Sequence, residues 1–154
     1  MDLTRLFYPQ SVAVLSAAVQ GKIGEKIPGV NTSTANPVDL GAGGFESKVM
    51  IHTMQAMAPE PNLDVLVPYF ALDFVSMFPD EAIEKGFREI AAAARDLSLP
   101  VVPIIFKSYE NKPRLEAVRM TALTIFREAG LPVFFTPQDA VLAMARMLEW
   151  KGEV

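Results

Sequence analysis

Asn36-Pro37-Val38-Asp39-Leu40-Gly41-Ala42-Gly43-Gly44-Phe45-Glu46-Ser47 joins a short apolar run to a glycine-dense turn and then to a helical pattern. Glycines at 41, 43 and 44 let the backbone reach positive φ and leave no Cβ in the way of a ligand. The first amides of the helix that follows lack partners within it. Such a turn either holds a phosphate or carboxylate against the helix dipole or makes a tight strand-to-helix connection. Either way the unit reads as strand, turn, helix.

The same alternation extends outward. Upstream, Ser11–Ser16 (SVAVLS) is a compact, β-branched run and predicts a buried strand. A short helix near Val19–Lys26 follows, then loop. Pro37–Leu40 is a short strand, and the helix after the turn spans Phe45–Met57. Its face carries Met50, Ile51, Met54, Met57 and Ala58. Pro59 and Pro61 end it. Leu63–Phe70 (LDVLVPYF) predicts the next strand. Asp80 and Glu81 suit the first turn of a helix whose stripe is Ile83, Phe87, Ile90, Ala94 and Leu97. Pro100–Phe106 (PVVPIIF) predicts a strand covered on both faces. A helix follows over Arg114–Ala129, with Leu115, Val118, Ala122, Ile125 and Phe126 inward and Gly130 as its stop. After a strand at Pro132–Phe135, Thr136 and Pro137 open a last helix to about Trp150, with Ala140, Val141, Met144, Met147 and Leu148 inward. Strands alternating with helices predict a three-layer, flavodoxin-like α/β domain, a mostly parallel sheet with helices on both faces. Residues 1–154 form one such domain, with 1–27 an atypical or truncated lead-in. Ligands of such sheets sit at the carboxyl ends of the strands, where the glycine turn lies.

Composition narrows the function. The chain has 154 residues, 51% hydrophobic and 21% charged, so it can bury a core. A net charge of −4, with scattered basic residues, argues against nucleic acid. Without cysteine there is no disulfide, thiolate metal site or cysteine nucleophile, which fits a cytoplasmic protein. No segment approaches the roughly 18 apolar residues of a membrane span. No metal-ligand spacing and no nucleophile–base pair stand out. The eight methionines fall mostly at helical core spacing and read as gap fillers. Asn31–Ala35 (NTSTA) precedes a strand rather than following one into a helix, unlike a flavin phosphate loop. Ser16-Ala17-Ala18 lacks the acidic pair of a phospho-accepting receiver.

The run Ala35–Gly44 (ANPVDLGAGG), then a helix and Leu63–Phe70, resembles the NDP-forming acyl-CoA synthetases, relatives of succinyl-CoA synthetase. The likeness is to their C-terminal flavodoxin-like ligase-CoA domain. It extends from Pro28 to Trp150 and closes with Gly130–Trp150 (GLPVFFTPQDAVLAMARMLEW). The resemblance implies the conversion of acyl-CoA, ADP and phosphate to acid, CoA and ATP through an acyl phosphate. It implies that Gly41, Ala42, Gly43 and Gly44 donate backbone N–H groups to a phosphoryl or carboxylate oxygen, with the Ser47 hydroxyl beside them. Asn36 and Asp39 would shape the turn, and Lys107 is the best-placed cation. The family uses CoA, ADP or ATP, and Mg, none expected on this domain alone. The domain is expected to be inactive without CoA-binding, phosphohistidine and ATP-grasp partner domains, or to assemble as a homo-oligomer. His52 lacks the glycine that follows the family's catalytic histidine and reads as an exposed helix residue. The alternative is a non-catalytic binding or assembly module on the same fold.

Overall fold

The computed structural model describes residues 17–27, 29, 32–35, 37–106 and 112–152. The strand expected at 11–16 lies outside them. In chain order the elements are α1 (Ala17–Gly24), a 3₁₀ turn (Gly41–Phe45), α2 (Ser47–Met57), β1 (Tyr69–Phe70), α3 (Leu72–Val75), α4 (Asp80–Asp96), β2 (Ile104–Ile105), α5 (Pro113–Glu128) and α6 (Pro137–Gly152).

This corrects the expected fold. Among the described residues 59% are helical and 7% are in strands or bridges, with only a two-strand parallel sheet, β1 beside β2. It is not a three-layer flavodoxin-like domain built on a mostly parallel sheet. Proline supplies the physical reason, since it cannot donate to a ladder. Leu66 N–H donates to the Pro100 carbonyl at 2.9 Å, Val102 N–H to Leu66 at 2.8 Å, and Ile104 N–H to Pro68 at 2.8 Å. By this spacing the next donor is residue 68, and Pro68 has no N–H. Pro103 likewise accepts from Phe134 N–H at 3.1 Å and gives nothing back. The expected strands at Leu63–Phe70, Pro100–Phe106 and Pro132–Phe135 therefore reduce to two-residue strands and single bridges at Leu66–Val101 and Ile104–Phe134. The expected strand at Pro37–Leu40 is one antiparallel bridge, Asp39 to Ser33.

The helices follow their apolar spacing more closely. On α4, Ile83, Phe87, Ile90 and Ala94 are buried; on α5, Leu115, Val118, Ala122, Ile125 and Phe126 are. Phe70, Phe87 and Phe126 meet ring to ring at centroid distances of 5.5 to 5.6 Å, joining β1, α4 and α5. Beyond α5, Gly130 takes φ +74°. Leu131 N–H reaches back to Phe126 O and Gly130 N–H to Arg127 O, which caps the orphan carbonyls as a Schellman motif. A smaller cluster of Val102, Ile104 and Ala140, with Met144 and Met147 packed on it, places α6 against the ribbon's other face. Val141, expected inward, is 61% exposed. Ala140, Met144 and Met147 take the inward face at i, i+4 and i+7, and Val141 lies about 100° round from Ala140.

Candidate functional site

The glycine turn, helix α2 and the segment Leu63–Ala71 line a cavity of about 540 Å³. Pro59 and Pro61 end α2 and free the chain to return as this second wall. One wall is the α2 face of Met50, Met54 and Met57; the other includes Leu63, Leu66 and Phe70. Gly41 and Gly44 line it from the turn, with Asp39 and Tyr69. Thr53 also lines it, and its buried hydroxyl donates to Val49 O at 2.9 Å. A second cavity of about 140 Å³ adjoins the first. It shares Gly44, Phe70 and Val75 as lining residues, and Phe78 and, on α4, Ala82 and Gly86 line the rest. Both are mostly apolar. The described charged lining residues are acidic, Asp39 in the larger cavity and Glu46 in the smaller.

Two of the expected anion donors have internal partners. The Asp39 carboxylate accepts from Gly41 N–H at 2.9 Å, so Asp39 shapes the turn as expected. Gly41 itself sits at φ +53°, a conformation that favours glycine. The Ser47 hydroxyl donates to Glu89 on α4 at 2.7 Å. Gly43 O accepts from Glu46 N–H at 3.1 Å, and Gly44 lies so close to Leu40 that a Cβ would stand 3.1 Å from its side chain. Ala42 belongs to the 3₁₀ turn; Asn36 and Lys107 lie outside the described residues. The turn and Ser47 thus come together at the cavities with a rim of carboxylates.

Tyr69 is the polar residue of this wall that the sequence reading missed. Its phenol is half-exposed beside the cavity, 6.0 Å from the Phe106 ring. Partial burial, and then the charge of Asp73, push its pKa above the ordinary value. The methionine face of α2 was legible as a stripe, but its role as a cavity wall needed the placement of Leu63–Ala71. His52 is half-buried rather than exposed: its Nε2–H donates to Lys22 O at 2.8 Å and ties α2 to α1. Arg119 is buried yet pairs with Glu116 through two nitrogens and stacks 5.0 Å above Phe135. The Glu116 hydrogen bonds hold its guanidinium charged. Among the described residues no group of three His, Cys, Asp or Glu is placed to hold a metal, and no helix is long and apolar enough to cross a membrane. No family model, curated protein or solved structure matches the chain.

Proposed function

We propose that the chain is an acyl-binding domain or subunit of an acid–thiol ligase of the NDP-forming acyl-CoA synthetase type. One observation carries the reading: the Asn-Pro-Val-Asp-Leu-Gly string leads into a glycine turn that lines an apolar cavity large enough for a small ligand. An acid with an apolar tail fits that combination, its tail among the methionines and its carboxylate at the mouth beside the turn and Tyr69. The reaction is the reversible conversion of acid, CoA and ATP to acyl-CoA, ADP and phosphate. CoA, nucleotide and Mg are supplied on CoA-binding, phosphohistidine and ATP-grasp partners, so the chain alone is inactive. Such a system belongs in the cytoplasm. Exposed Phe74, Met77 and Phe78 offer partner domains or a second copy an apolar surface.

A second reading is a non-catalytic binding module that takes an uncharged apolar ligand. It is favoured by Asp39, Glu46 and Glu89 around the turn, since these carboxylates oppose an anion there. NMR titration of the full chain with octanoate, octanol and acetyl phosphate separates the two. The ligase reading predicts saturable octanoate shifts at Gly41–Ser47 that Gly43→Val abolishes, and acyl-CoA formation when partner domains are added. Octanol binding without octanoate or acetyl phosphate binding would sink it in favour of the second.

A further inference from the structure

In a parallel ladder successive residues of a strand turn their backbone groups to alternate sides. Leu66 N–H donates to Pro100 O, Leu66 O accepts from Val102 N–H, and Pro68 O accepts from Ile104 N–H. Leu66, Pro68 and Phe70 thus face β2, and Val65, Val67 and Tyr69 face away from it. No described residue pairs with the backbone N–H or C=O of these three. Beyond β2 the ladder continues to Phe134, so the open edge is that of β1. The proline of this stretch, Pro68, turns its nitrogen toward β2, and every residue on the outer edge keeps its N–H. The edge therefore offers donors and acceptors at a repeat of roughly 6.6 Å, two residues of rise. It runs along a wall of the larger cavity. Val67 and Tyr69 are 42% and 47% exposed, so their side chains stand open to a neighbour across the edge.

We infer that this edge is a docking site for an extended segment of a partner protein, which adds to β1 as a further strand. The inference rests on the backbone edge and is independent of whether the cavity takes an acid or a neutral ligand. Residues 37–41 and α2 bound the space beside the edge, which suits a single extended chain. The edge of a second folded copy would have to bring the rest of its sheet into the same space. Side chains of the added strand alternate between two faces. One face meets the Met50, Met54, Leu66 and Phe70 side, the other Val67 and Tyr69, so the segment is apolar on both. Asp39 is the charged residue among the described lining of this cavity, and the chain carries a net charge of −4. Both favour Lys or Arg at the ends of the segment.

The test titrates the full chain with the peptide Ac-Lys-Val-Ile-Val-Thr-Lys-NH2, with NMR shifts and hydrogen exchange read at single amides. In the chain alone the Val67 and Tyr69 amides exchange rapidly while that of Leu66 is slow. Saturating peptide slows both by about tenfold or more. Two further peptides carry N-methyl groups at alternate residues, out of phase with each other. The one whose methyl groups face β1 binds about tenfold more weakly, and the other binds as the parent does. Val67→Pro removes an edge donor without touching the β2 ladder and weakens the parent peptide by a similar factor. The methylated pair keeps the test decisive if that variant fails to fold. Val67 and Tyr69 amides protected in the chain alone overturn the proposal: protection at every concentration means that the chain covers its own edge, and protection that grows with concentration means a second copy. Absence of shifts at millimolar peptide overturns it as well. Methylated peptides that bind equally show occupation of the apolar cavity without edge pairing, which sinks the edge site and leaves the ligand cavity standing. Peptide binding that follows the methylation pattern while octanoate and octanol fail to bind upholds the edge site and sinks the cavity readings.

Discussion

Any residue but glycine at position 130 would have to hold φ +74° against its own Cβ. Gly130→Ala is expected to lose about 1 kcal/mol in urea unfolding, with space for the methyl group not at issue because nothing lies within 4 Å. At the start of α6, Thr136 Oγ1 accepts from Asp139 N–H at 3.1 Å, and its hydroxyl donates to the Asp139 carboxylate at 2.8 Å. Thr136→Ala removes this cap and should cost about 1 kcal/mol by the same measurement. Tyr69 gives a pH signature. Its pKa is raised above 10.0, so its contribution to stability is complete below that pH and is lost as pH rises through the folded-state value. The wild type should therefore lose stability more steeply than Tyr69→Phe above pH 10, with parallel curves at neutral pH; identical slopes throughout would contradict this. Features of this scale were legible when they depend on a few neighbours. Gly130, Thr136 and Asp39 act within five residues of chain. The Ser47–Glu89 bond spans 42 positions and left no local mark.

Helices were read well because their spacing is set by one periodic face, and strands were read too generously. The runs at 63–70 and 100–106 have the apolar, β-branched character of strands, and their backbones do lie parallel. Hydrophobicity reports burial; pairing needs donors, and prolines at 68, 100 and 103 remove them. Pro68→Val tests this directly. The new N–H at 68 should meet the Val102 carbonyl, and its hydrogen exchange should be as slow as that of Leu66. Rapid exchange would mean that proline is not what shortens the ladder. The gain of a hydrogen bond is offset by the loss of proline's rigidity, so overall stability should shift by less than about 1 kcal/mol. Where three elements converge the effect is larger. Phe126 is fully buried against Phe70 and Phe87, and Phe126→Ala is expected to cost roughly 3–5 kcal/mol.

At the scale of the molecule, alternating apolar runs suggested an extensive sheet, and the chain instead sets a short parallel ribbon among helices. The glycine turn was legible from residues 41–44 alone. The cavity beside it was not, because its walls come from α2, from Leu63–Ala71 and, in the adjoining space, from α4. The methionines at 50, 54 and 57 pack in the core, as their spacing implied, and also line the cavity. Met144 and Met147 pack away from the cavity, beneath α6 on the other face of the two-strand sheet. That division provides an internal control for the central claim, that the cavity beside the Gly41–Gly44 turn is the ligand site. The most direct measurement is methyl NMR of the full chain with isotopically labelled methionines, titrated with octanoate and octanol. The account predicts saturable shifts and ligand contacts at Met50, Met54 and Met57, with Met144 and Met147 unmoved. Shifts confined to Met144 and Met147, or none at millimolar ligand, would contradict it.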